Sequence, residues 1–166
     1  MVIGDWITLS AVIVALGIGV ASIVQTQTLQ KRERKERLLS EIIVWADDIR
    51  KSSSENIDPS KVILDSPVMQ MATQDYFIQL RKRYQAFKTK SAYIKEAISK
   101  VFGGDLLSSV NRVIQELDNN IELLRVCLTQ KGKDNIKEVE NCKKSLDSSS
   151  EELMILATKI KTKDIR

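Results

Sequence analysis

WITLSAVIVALGIGVASIV (residues 6–24) passes through a polar collar, QTQTLQ (25–30), into KRERKER (31–37), seven consecutive charged residues. The architecture turns on whether this junction is a membrane exit or a soluble helix turning its charged side outward. The nineteen residues of the run carry no charge, and ten of them are Ile, Leu or Val. As a helix the run spans roughly 28 Å, close to the ~30 Å hydrocarbon thickness of a bilayer. Leu9, Val12, Ile13, Val14, Leu16, Ile18 and Val20 point in every direction around such a helix and leave no polar face. A helix apolar all round is enclosed by protein or by lipid. The rest of the chain is too short and too amphipathic to enclose it, so the sequence predicts a transmembrane helix over 6–24.

The flanks set the direction. KRERKER holds five basic residues against two acidic ones, whereas MVIGD (1–5) holds no Lys or Arg and carries Asp5. The rival reading is a cleaved signal peptide: Gly-Val-Ala at 19–21 passes for a cleavage site, but the leading region lacks the positive charge such a peptide calls for. By the positive-inside tendency, residues 1–5 form a short external segment and everything after Val24 lies in the cytoplasm. The expected localisation is therefore a single-pass cell-membrane protein, its N-terminus outside and its C-terminal domain cytoplasmic. Trp6 is placed at the outer interface, where an indole is favoured.

Charge other than Asp5 lies entirely beyond Gln30, and two prolines and six glycines in 166 residues favour long helices. Residues 25–37 read as a charged juxtamembrane helix and 38–166 as a helical bundle. Its expected helices cover about 26–51, 74–102, 105–131 and 135–162, with 52–73 a loop holding short helical pieces. Leu38, Ile42, Trp45 and Ile49 repeat at 4, 3 and 4. Phe77, Leu80, Tyr84, Phe87, Ser91, Ile94, Ile98 and Val101 alternate 3 and 4, as do Leu107, Val110, Ile114, Leu117, Ile121, Leu124 and Leu128. The last stripe, Ile136, Val139, Leu146, Leu153, Leu156 and Ile160, is interrupted by Lys143 and Ser150. Alternating threes and fours are the seam of coiled-coil-like packing. Asp58-Pro59 and Ser66-Pro67 read as helix caps followed by Pro, Gly103-Gly104 as a helix end, and KGKDN (131–135) as a turn. Short turns make neighbours antiparallel. The fold class is thus all-α: one transmembrane helix continuing into an up-down-up-down four-helix bundle.

In that topology the tail KIKTKDIR (159–166) returns towards the membrane. Lys159, Lys161, Lys163 and Arg166 join Lys31, Arg32, Arg34, Lys35 and Arg37 in a basic collar suited to an anionic inner leaflet, at ~1 kcal/mol per residue. Ala11, Ala15 and Gly19 recur every four residues, a small-residue face that promotes helix pairing in lipid and hence a homo-oligomer. In RKRYQAFKTK (81–90) five basic residues mix with Tyr84 and Phe87, the composition of a nucleic-acid surface. Both aromatics fall on the core stripe, which disfavours nucleic acid. Arg81, Lys88 and Lys95 recur every seven residues as a basic line suited to an acidic partner.

Catalytic chemistry has little to stand on. The chain has no His, and its two cysteines, Cys127 and Cys142, read as small buried residues kept reduced in a cytoplasmic domain. Asp47-Asp48 and Glu151-Glu152 are sequential and diverge on a helix. The serines at 52–54 and 148–150 have no base beside them. No cofactor and no enzyme activity are expected. The sequence points to a membrane-tethered scaffold or interaction module with an unidentified protein partner. The alternative is a signal-transmitting membrane protein whose bundle switches packing, with the interrupted last helix the most able to detach. A membrane-active toxin fits the large ordered domain poorly.

Overall fold

A computed structural model describes residues 3–54, 67–102, 104–129 and 135–164, with side chains placed from Val14 onward except at 67–73, 129, 135, 136 and 164. The described residues form four helices: α1 (Ile3–Ser54), α2 (Pro67–Val101), α3 (Gly104–Thr129) and α4 (Asn135–Asp164). It divides into two units, residues 1–37 and 38–166, and α1 contributes to both.

Helix occupies both ends of the expected loop over 52–73. α1 continues through Ser54, and α2 already starts at Pro67. Proline suits a first helical position, where its missing N–H costs nothing, and VMQMAT behind it contains no breaker. Asp58-Pro59, Ser66, Gly103 and residues 131–134 of the KGKDN turn lie outside the described residues. At the end of α2 the Phe102 N–H donates to the Ile98 carbonyl at 2.8 Å. α3 then opens at Gly104, with Asp105 in its first turn facing the positive end of the helix dipole. Lys161 and Lys163 complement the opposite pole in the last turn of α4.

Within residues 38–166 the four helices pack against each other around one core. On α1, Leu38, Leu39, Ile42, Trp45, Ala46 and Ile49 are buried. The α2 stripe is buried at Phe77, Leu80, Tyr84, Ser91, Ile94 and Ile98, half-buried at Phe87 and open at Val101. α3 is rotated from its expected face. Val110, Leu117 and Leu124 are buried as expected, but their companions are Leu106, Val113 and Asn120. Leu107, Ile114, Ile121 and Leu128 flank the core instead. On α4 the two supposed interruptions are inside: Lys143 and Ser150 are buried in line with Val139, Leu146, Leu153 and Ala157, while Leu156 and Ile160 are half-buried.

Polar contacts give the helix directions. Trp45 Nε1 on α1 donates to the Phe87 carbonyl on α2 at 3.2 Å, and Ser53 Oγ lies 3.4 Å from Tyr84 Oη. Lys88 pairs with Asp118 between α2 and α3 at 2.5 Å. Arg112 pairs with Glu152 at 2.7 Å, and Asn120 Nδ2 donates to the Cys142 carbonyl at 3.1 Å, between α3 and α4. Arg50 with Asp147 and Lys161 with Ser40 join α1 to α4. Between α1 and α2, α3 and α4, and α1 and α4 one number rises as the other falls, so these neighbours are antiparallel.

The transmembrane expectation is not met by the described residues: among them, no helix is long and apolar enough to cross a membrane. Side chains 6–13 lie outside the described residues, and the described remainder of the run, Val14–Val24, spans roughly 17 Å before Gln25, short of a ~30 Å hydrocarbon layer.

Candidate functional site

The candidate surface in residues 1–37 is the apolar part of α1 followed by its charged turn. Val14, Leu16, Ile18, Val20, Ile23 and Val24 are 55–66% exposed. They stand all round the helix, so no single packed face accounts for them. Ala15 is exposed too, and a Cβ added at Gly19 would meet nothing within 4 Å. The side chains of Trp6 and Ala11 lie outside the described residues. In the collar, Thr26 Oγ1 donates to the Ser22 carbonyl and Thr28 Oγ1 to the Gln25 carbonyl, each at 2.8 Å. Both hydroxyls are thereby satisfied on the helix itself, without water.

KRERKER follows in the same helix. Lys31, Arg32, Arg34 and Arg37 are exposed and Lys35 is half-buried. Arg32 Nε pairs with Glu36 at 3.2 Å, an i,i+4 bond that neutralises part of the segment's charge. In residues 38–166, Lys159 and Lys163 at the end of α4 are exposed, and Lys161 Nζ donates to Ser40 Oγ at 2.9 Å. Ser40 is three residues past the charged run in sequence, so antiparallel packing delivers the basic end of α4 to the start of the bundle. Arg166 lies outside the described residues.

The basic line on α2 lies near acids of α3. Lys88 pairs with Asp118 on α3. Arg81 is half-buried, and its charge helps hold the Glu122 carboxyl below its ordinary pKa, behind the larger effect of the hydrogen-bonded Arg125. Two of the three residues thus answer acids of the neighbouring helix, and Lys95 alone is simply exposed. The signal was present in the sequence: folding the hairpin about Gly103 puts residue 88 opposite 118.

Cys127 and Cys142 are free thiols, each half-buried. Burial pushes both pKa values up, with Glu138 adding to the effect on Cys127, and Glu116 and Glu138 to that on Cys142. Such thiols stay protonated and make poor nucleophiles. Among the described residues no group of three His, Cys, Asp or Glu side chains is placed to hold a metal.

Buried polar groups are what sequence reasoning missed. Asn120, 1% exposed, donates both to its own Glu116 carbonyl at 2.8 Å and to Cys142 on α4. Lys143 reaches across to Tyr76, with Nζ 3.3 Å from Oη and 5.9 Å from the ring centroid. Ser149 and Ser150 are buried, and their hydroxyls have no hydrogen-bond partner. Asn120 was legible in principle, because Leu106, Val110, Val113, Leu117, Asn120 and Leu124 also alternate 4 and 3.

No protein-family model, curated protein or solved structure matches this chain.

Proposed function

We propose that the chain is a membrane-tethered helical-bundle interaction module. Residues 6–24 enter the bilayer, KRERKER holds the border among anionic headgroups on the cytoplasmic face, and residues 38–166 offer the outer faces of the bundle to a protein partner. The reading requires no catalytic group. The observation that carries it is the described part of the apolar run: six large aliphatic side chains standing 55–66% exposed around a helix that leads directly into the charged turn. In water that exposure is unfavourable at about 25 cal/mol per Å², and lipid removes the penalty. The back-bonded Thr26 and Thr28 hydroxyls reduce the cost of the polar collar at the interface.

Reporter fusions test the arrangement. A reporter placed after Arg166 is active on the cytoplasmic side only, and one placed before Met1 on the opposite side only. The reverse pattern, or activity of both on one side, contradicts it.

A second reading, a signal-transmitting membrane protein whose bundle changes packing, is favoured by one specific feature. The core-facing line of α4 alternates apolar residues with buried Lys143 and Ser150, as a helix selected for tight permanent packing would not.

A further inference from the structure

We infer that α4 is a latch: it opens from the bundle as a unit while α1, α2 and α3 stay packed. α4 carries buried polar groups that gain by leaving. The Ser149 and Ser150 hydroxyls are buried without a hydrogen-bond partner. Lys143 is 6% exposed, with its ammonium at the Tyr76 hydroxyl. Water satisfies the two serine hydroxyls once α4 lifts away, and solvates the Lys143 ammonium in place of its contact with Tyr76. The α1–α2 interface is different: Trp45 Nε1 donates to the Phe87 carbonyl, and Ser53 Oγ donates to the Ile49 carbonyl at 2.9 Å.

What holds α4 down is correspondingly modest. Its fully buried apolar residues are Val139, Leu146, Leu153 and Ala157. Arg50–Asp147 and Arg112–Glu152 are solvent-exposed ion pairs, a weak class of contact. The part-buried ties are the Asn120 amide on the Cys142 carbonyl, the Lys143 ammonium on the Tyr76 hydroxyl and the Lys161 ammonium on the Ser40 hydroxyl. Opening uncovers the core sides of α1 and α3, where Leu39, Val113 and Leu117 are buried in the closed state. The latch deepens the second reading above, and the opening itself does not depend on whether residues 6–24 enter lipid.

Amide hydrogen exchange of the full-length chain in detergent micelles, followed by mass spectrometry, tests it. The expected result is that α4 segments exchange at least tenfold faster than the buried segments of α1, α2 and α3. Ser150→Ala should slow α4 exchange about tenfold, and Asn120→Ala should speed it by a similar factor, with little change in α1 and α2. Equal protection of all four helices, or variants that shift every helix together, would overturn the latch. Neither outcome bears on membrane insertion, which alkaline extraction reads separately.

Discussion

Lys161 Nζ donates to Ser40 Oγ at 2.9 Å, across 121 residues of sequence. That bond places the basic end of α4 beside the start of the bundle. The proposed membrane reading assigns Lys159, Lys161 and Lys163 to the basic collar at anionic headgroups. In lipid nanodiscs these three amines should be acetylated more slowly with anionic than with zwitterionic lipid, each lysine gaining roughly 1 kcal/mol from the surface. Equal rates in the two lipids would remove α4 from the collar.

Core burial makes the second prediction. Leu117 is fully buried and Val44 is 54% exposed. Leu117→Asp leaves an unpaired charge in the core and costs several kcal/mol, much of the stability of a small domain, so its helical circular dichroism should collapse or melt far below wild type. Val44→Asp should melt within a few degrees of wild type. Phe87→Asp should fall between them, because Phe87 is only half-buried.

The Lys88–Asp118 pair separates an internal role from a partner-binding one. Both side chains are about half exposed, at 51% and 44%, so a double-mutant cycle should give a coupling below about 1 kcal/mol. Its sign should be favourable, and Lys88→Glu should be rescued by Asp118→Lys. A cycle with no coupling would return Lys88 to the set of free surface charges.

Thiol chemistry supplies a pH dependence. Burial raises both thiol pKa values from their ordinary 9.0, so the folded protein holds these protons to higher pH than the unfolded chain does. As pH rises past 9 the unfolded state loses its protons first. Stability is therefore lost from there upward, through the folded pKa values. At pH 8, alkylation of Cys127 and Cys142 should be slower than that of a free cysteine and should accelerate in guanidinium. Fast labelling of the folded protein would mean that the thiols are not shielded as described.

Helix content and helix order were readable because threes and fours persist for several turns and breakers are rare. The rotation of α3 was not, because Val113 and Ile114 are equally apolar and either line keeps the spacing. The choice falls to packing against α2 and α4, which brings Asn120 inside to reach the Cys142 carbonyl. Lys143 and Ser150 misled for a related reason. Periodicity treats a polar residue on a stripe as a gap, whereas a long lysine stem can lie in the core with its ammonium at Tyr76. The partners of Arg81 and Lys88 belong to a different helix, which a reading of α2 alone does not reach.

Alkaline carbonate extraction of membranes from cells expressing the full chain tests the central proposal most directly. The account predicts that the protein stays in the membrane pellet, and that Val14→Lys, which puts a charge in the middle of the apolar run, moves it to the supernatant. Complete release of the unaltered chain into the supernatant would contradict the account.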